Sequence, residues 1–401
     1  MKFEELAAES ERWLGPIDRE GLAVILATVL SSKSKGPPLW NFVIAASGTG
    51  KTTFLTALPE RCCVRASTLT RQSFVSGLHA DSRADLVARL PGKCLVIQDL
   101  SWFLSQRDSV QREVFGMLRE SFDHQRIEVP FGSVGLKVFE DIRFSLLAGC
   151  TRAIDSYRKL TGELGERFTI LRLRPGENAV SNSQAMLGQE AATSKALATA
   201  LKKFVAEREA LIKTSPGRHV TDEQDRNLAG ALAWVRCPVP RDRQHHVTYR
   251  PDHEIETRLV KQFGELRNIG ALVMDLPRDD IRVSGLVQRV ARDTVPMERL
   301  ELLGLVGDKM ITTGKLVEVL QMPKPTVREW LEDLWVLRIL VKGRVNGDDL
   351  WHVSESFVEK SKDLLEANAI DSEATVKAPA SVAEISQSAR QDVALPRRRK
   401  P

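Results

Sequence analysis

The stretch that most limits what this chain can fold into is Ala45-Ala46-Ser47-Gly48-Thr49-Gly50-Lys51-Thr52. An apolar run of strand length, Leu39–Ala45, leads into it, and helical spacing over Thr52–Leu58 follows. A strand that ends, a glycine-bearing loop and a helix that begins together make an anion cradle. Gly48 and Gly50 let backbone N–H groups turn inward on phosphates. The helix N-terminus adds its partial positive charge. Lys51 is spaced to reach β- and γ-phosphates, and the Thr52 hydroxyl to coordinate Mg²⁺. Ser47, Thr49 and Thr53 complete the expected cradle, and Ala45 stands where the pattern has its first glycine. The expected ligand is ATP with Mg²⁺.

Four more short apolar runs read as strands: Cys62–Ala66, Cys94–Ile97, Phe144–Gly149 and Phe168–Leu173. Helical patterns, such as Asp108–Phe122, lie between most of them. This alternation predicts an α/β fold, a parallel P-loop sheet flanked by helices. The run Lys93–Ser101 brings Asp99 out at the C-terminal end of its strand, the edge where such sheets bind ligands. Two roles stay open for it. Asp99 is the Mg²⁺ acid, which a hard cation favours, or it polarises the attacking water while Gln98 replaces the Mg²⁺ acid. Either way slow hydrolysis is expected. Beyond this strand, Arg126–Phe139 alternates and turns at Gly132–Gly135, which predicts a β-hairpin.

This order resembles AAA+ ATPases over roughly residues 35–175. In that resemblance Thr151 takes the sensor-1 position beside the γ-phosphate. Arg167 takes the arginine-finger position, which acts on a neighbouring subunit's nucleotide and stabilises charge on the transferred phosphoryl group. The helix opening at Glu256 looks like a sensor-2 helix, with Arg258 at the phosphate-contacting position. The hairpin, the late sensor-2 helix and a terminal winged helix are similar in layout to the minichromosome maintenance helicase class. Val96–Ser101 and Gly149–Phe168 also resemble uncharacterised ATPases of phage and integrated elements. The resemblance implies a homo-oligomer, ring or filament, and a DNA-acting motor, loader or helicase-like remodeller. The hairpin would move against DNA, with Arg126 and Lys137 as its only bases.

The chain has 401 residues, enough for two or three domains. The expected division is a helical lead-in over 1–38, the ATPase core over 39–177, a helical lid over 178–297, a winged helix-turn-helix over 298–357 and a largely disordered tail over 358–401. In the winged unit, Lys315–Leu320 is a helix, Gln321-Met322-Pro323 a turn, Lys324–Leu337 a second helix and Ile339–Val353 a wing turning at Asn346-Gly347. Lys324, Arg328, Arg338, Lys342 and Arg344 favour DNA, but Glu329, Glu332 and Asp333 on the second helix repel phosphates. A protein partner for this unit therefore stays open, and with it a nucleotide-switched regulatory ATPase. Five scattered cysteines and no C-x-x-C pair suggest reduced, buried thiols. No apolar run reaches about 18 residues, so no membrane span and a cytoplasmic setting are expected. A net charge of +5 permits a nucleic-acid partner without arguing for one.

Overall fold

Apolar side chains on consecutive positions of short segments can be buried only if both faces of a sheet are covered, and that dictates the centre of this protein. The strands, in chain order, are β1 (Trp40–Ile44), β2 (Cys63–Ala66), β3 (Cys94–Ile97), β4 (Ile127–Phe131), β5 (Gly135–Phe139), β6 (Ser145–Cys150) and β7 (Thr169–Arg172). Five of them form one sheet in the order β2-β3-β6-β1-β7. Every pairing in it is parallel. The antiparallel β4–β5 hairpin stands apart. The computed structural model describes residues 1–46, 49–76, 85–132, 135–156, 167–174, 188, 190–214, 222–307, 309–345 and 347–365. Their contacts group Met1–Leu364 as one unit; a second unit, Leu365–Pro401, lies outside the described residues apart from Leu365.

The two sheet faces have different covers. The helices of this half are α1 (Phe3–Leu14), α2 (Arg19–Ser31), α3 (Lys51–Ala57), α4 (Arg71–Phe74), α5 (Ser101–Leu104) and α6 (Asp108–His124). On one face Trp40, Phe42 and Ile44 of β1 pack with Leu95, Leu146, Ala148, Phe74, Phe115, Leu118 and the inward hairpin residues Ile127, Val129 and Phe139. On the other lie α2 and α3. Every residue of α2 from Gly21 to Ser31 is buried. A buried chain of polar groups fixes α2 to the sheet: Asn41 Nδ2 donates to Thr28 Oγ1 at 2.7 Å, and the Thr169 hydroxyl donates to Asn41 Oδ1. Residues 1–38, expected as a separate lead-in, are therefore part of the layer that covers the sheet.

The remaining helices continue this layer: α7 (Glu190–Thr214), α8 (Glu223–Val235), α9 (Thr257–Met274) and α10 (Ile281–Thr294). α9 packs on α2, and α10 runs along β7. β7 is an edge strand, and unpaired edge N–H groups invite unwanted pairing. Here Ile170 N donates to Thr294 Oγ1 and Arg172 N to Asp293 Oδ2, each at 2.8 Å, so side chains of α10 close the edge.

The C-terminal part comprises α11 (Met297–Val306), β8 (Ile311–Thr312), α12 (Thr313–Leu320), α13 (Lys324–Val336), β9 (Leu340–Val345), β10 (Asp348–Val353) and α14 (Glu355–Leu365). The Thr312 side chain caps α12 by accepting from Lys315 N, and Pro325 sits in the first turn of α13, where its missing N–H has no partner to lose. β8, β10 and β9 form an antiparallel sheet, turning between β9 and β10 through Gly347 at φ 85°. Residues 358–365, expected in a largely disordered tail, are helical, and the rest of that expected tail lies outside the described residues. α14 runs to Leu365 with Phe357 and Leu364 buried, and Trp234 of α8 meets Phe357 edge to face at 5.4 Å.

Candidate functional site

Parallel strands bring their C-terminal ends to one edge, and register decides which residues meet there. Ile44 of β1 is level with Cys150 of β6 and with Arg172 of β7, and Ile97 of β3 is level with Ala148. The loop after β1, Asp99 after β3 and Thr151 after β6 therefore share that edge. Backbone bonds stitch it: Ala45 N donates to Cys150 O at 3.2 Å and Leu100 N to Gly149 O at 2.7 Å. β3 and β6 come so close here that a β-carbon on Gly149 would sit 2.4 Å from the Gln98 carbonyl oxygen. The edge tolerates no side chain at that point.

Gly50 has φ 78°, the left-handed turn that starts α3 and that glycine adopts without strain. Thr49 Oγ1 donates to Ala46 O at 2.9 Å. Lys51 opens α3, and its Nζ donates to Cys150 O at 2.8 Å, so the ammonium lies across the strand end. Thr52 is exposed and Thr53 half-buried on the same helix. Ser47 and Gly48 lie outside the described residues. Burial pushes the neighbouring Cys150 thiol up to about 12, against the opposing pull of Lys51, so the thiol stays protonated.

Successive residues of a strand point to opposite faces. Gln98 takes the face that carries α3, where its Nε2 donates to Thr56 Oγ1 at 3.1 Å. Asp99 lies on the other face and accepts from Ser101 N, the first residue of α5, at 2.8 Å. Hydrogen bonds from the Ser101 side chain and backbone, opposed by slight burial and helped by the Lys51 charge, hold the Asp99 carboxyl below its ordinary value. It is a carboxylate at neutral pH. An amide rather than a carboxylate thus stands beside the helix that carries Thr52, which bears directly on the magnesium role expected of Asp99. Thr151 is half-buried, and Ala153 N donates to its hydroxyl at 3.4 Å, so it also caps the short 3₁₀ turn Arg152–Ser156. One ammonium, one carboxylate and several hydroxyls at one edge suit a polyphosphate with a hard cation.

Arg167 and Arg258 lie elsewhere. Arg167 precedes β7, and Thr169 is level with Asn41, so it sits at the N-terminal edge of the sheet, opposite Lys51. It is 8% exposed. Its Nε donates to Asp123 Oδ1 at 2.9 Å and its Nη2 to Asp123 Oδ2, a bidentate pair. Arg258 Nη2 lies 3.8 Å from the same Asp123 and its Nη1 4.0 Å from Glu254. Its side chain is 36% exposed. Asp123, which the sequence did not single out, gathers both arginines; nothing in the chain around it announced that.

A second unforeseen network borders the edge that carries Lys51. Arg289 of α10 clasps Asp18, the N-cap of α2, through both terminal nitrogens. It also donates to Arg172 O at 2.9 Å. Arg172 pairs in turn with Asp155, at 2.7 and 2.9 Å, four residues after Thr151. The chain Asp18–Arg289–Arg172–Asp155 ties α2, α10, β7 and the turn after Thr151 together.

The hairpin differs from expectation. Lys137 is buried and its Nζ bonds Asp85 Oδ2 at 2.8 Å, while Arg126 is taken by Glu128 and Glu140. Its outward face carries Leu136, 60% exposed, and Val138, not bases. The C-terminal helix α13 differs in the opposite sense. Arg241, from the proline-rich crossing 237–251, bonds Asp333 at 2.7 Å and Glu332 at 2.9 Å and approaches Glu329 at 3.6 Å. Arg299 of α11 reaches Asp333 at 3.2 Å. The acids that were to repel phosphates are offset in part from within, Glu329 and Glu332 keeping side chains 39% and 47% exposed, and Lys324, Arg328, Lys342 and Arg344 are exposed, Lys342 beside Asp349 at 3.0 Å.

His245 and His246 are exposed, His245 lying 3.5 Å from Glu329. All five cysteines are free and buried. Among the described residues no helix is long and apolar enough to cross a membrane. No protein-family model and no curated protein matches the chain.

Proposed function

We propose that this protein is a P-loop ATPase of the AAA+ kind that turns over slowly and holds DNA through its C-terminal unit. The observation that carries the nucleotide reading is the meeting of Lys51, Asp99 and Thr151 at one edge of a parallel sheet, from three different strands. Lys51 would leave the Cys150 carbonyl to hold the β- and γ-phosphates, and the loop 45–50 with Thr52 and Thr53 would cradle them. Bound Mg²⁺ would neutralise phosphate charge. Thr52 would hold that ion from α3, with Gln98 on the same face, and Asp99 would orient the attacking water from the other.

This assignment has a gain-of-function test. An amide is a poorer partner for a hard cation than a carboxylate. Gln98→Asp should therefore lower the Mg²⁺ concentration needed for half-maximal turnover and raise the rate at least about tenfold, a difference of roughly 1.4 kcal/mol in the barrier. Were Asp99 itself the magnesium acid, the substitution would leave both unchanged.

Helices α7–α10 act in this reading as the lid, and the unit from α11 to β10 as a winged helix-turn-helix. Subunits would join in a ring or filament. Arg167 and Arg258 both lie beside Asp123 at the edge away from their own Lys51, and either would have to leave that carboxylate to meet a neighbour's phosphate. The DNA reading rests on α13. With Glu329, Glu332 and Asp333 drawn to Arg241 and Arg299, the bases left outward attract a polyanion. The hairpin, its bases paired, supports no such contact.

The experiment is ATP turnover with and without single- and double-stranded DNA. Stimulation of several-fold, fading as salt rises, is expected. No stimulation together with no DNA retention at low salt would remove the DNA half. The second reading, a nucleotide-timed switch whose C-terminal unit grips a protein, is favoured by the amide at Gln98. It predicts low turnover indifferent to DNA and an oligomer size that follows the nucleotide.

A further inference from the structure

The exposed residues of α13 are not spread around the helix. At about 100° per residue, Lys324, Arg328 and Trp335 fall within about 40° of one another, a stripe about 16 Å long. Val327, Leu331 and Leu334 are buried on the adjoining face, centred about 70° from the stripe. Trp335 is 48% exposed. Trp351 of β10, by contrast, is buried, donates to Thr313 Oγ1 at 2.8 Å and lies under Lys342. Beside α13 runs β9, an edge strand exposed from Val341 to Val345 and bearing Lys342 and Arg344. Arg338, one turn beyond Trp335, is exposed as well.

A helix that reads duplex bases places Arg, Lys, Asn or Gln on its outward stripe, where they pair with base edges in the major groove. This stripe has two such cations, but between them in angle it carries a half-exposed indole, which offers a base edge one N–H donor and an unpaired base a whole π-face. Cations beside a bare aromatic face are instead the parts of a stacking platform, which takes up unpaired bases with little regard to sequence. We infer that the stripe Lys324–Arg328–Trp335, flanked by β9, receives single-stranded DNA, with an unpaired base stacked on Trp335 and the backbone following Arg328, Arg338 and Arg344. The inference rests on the DNA reading above and narrows it from duplex to single strand. The Arg241 clasp is part of the device, since it buries Asp333 and pairs the half-exposed Glu332, the carboxylate next to Arg328 on the helix.

The test uses the full chain in a fluorescence-anisotropy titration at low salt, with labelled oligothymidylate and a blunt duplex of the same length. Trp335→Ala should weaken oligothymidylate binding roughly 5- to 100-fold and Trp335→Phe far less, because a phenyl ring still stacks. Duplex binding should change by less than about twofold in both, and the thermal midpoint should hold. An alanine variant that binds the single strand as well as wild type, or that loses duplex binding equally, would overturn the inference. Duplex binding with no uptake of oligothymidylate would overturn it while leaving the DNA reading intact. Uptake of neither would end both.

Discussion

Replacing Asp99 by asparagine should cut ATP turnover by about 10²–10⁴-fold while leaving affinity for Mg·ATP within about threefold of wild type. The split follows from the side of β3 on which each residue lies. Asp99 lies away from α3, with Ser101 N as its partner; Gln98 lies toward α3, bonded to Thr56. In the proposed reading, binding relies on Lys51 and the helix it opens, and water orientation on the carboxylate. Because Ser101 and the Lys51 charge keep that carboxyl below its ordinary value, it is ionised throughout the working range. Turnover should therefore not decline between pH 8 and pH 5 on its account. A carboxylate with so low a pKa is also a weak base, which by itself favours a slow enzyme. Equilibrium binding and single-turnover rates of the asparagine variant decide the point: loss of Mg²⁺-dependent affinity would make Asp99 the metal acid.

Asp18→Asn should be the most damaging single change to the fold. Asp18 and Arg289 have side chains 9% and 4% exposed, and the pair joins the first helices to α10 and the β7 edge. Breaking a buried pair costs about 3–5 kcal/mol, and the lower end applies here because Arg289 keeps Glu20 at 3.2 Å and Asp293 at 3.7 Å. For a protein of this size that is a fall in thermal midpoint on the order of 5–10 °C. The acid side of the stability curve carries the same signature. Burial alone would raise the Asp18 carboxyl, but hydrogen bonds and charge from Arg289, with the Arg174 and Gly21 amides, hold it below 3.8. Its contribution is thus complete above the unfolded value near 3.9 and lost as pH falls through the lower folded one. Asp293, pushed up to about 6 by burial, works in the other sense, adding stability as pH falls through 6. The two windows do not overlap, so the variant should differ from wild type mainly by losing the steep segment below pH 4. A thermal midpoint and acid profile unchanged from wild type would show that the clasp holds nothing.

The sheet was legible because buried parallel strands are written locally. Each is a short, mostly apolar run between breakers, though Asn41, Arg65 and Thr169 interrupt three of them, and Cys94–Ile97 was read to the residue. The step from β1 into the helix that Lys51 opens was legible for a related reason, since Gly50 marks the left-handed turn that starts it. What the sequence hid was long-range or all-round. α2 is buried on every side, so no amphipathic stripe marked it as the helix against the sheet. Lys137 did carry a signal: alternation through Ile127, Val129 and Phe139 places it on the inward face opposite Val129, yet its partner Asp85 is 52 residues away. Arg241 and Asp333 are 92 residues apart, and Arg167 and Asp123 are 44. Ion pairs formed across such distances leave no local pattern, and they decided which charges face outward at the hairpin, at α13 and beside Arg167.

Titration of the purified chain with labelled ATP, with magnesium and with a chelator, beside Lys51→Ala, tests the account at its root. Saturable, magnesium-dependent binding by wild type, weakened at least about a hundredfold in the variant, is the predicted result, as a buried charge-assisted phosphate contact implies. Equal binding by the two proteins, or none by either, would contradict it.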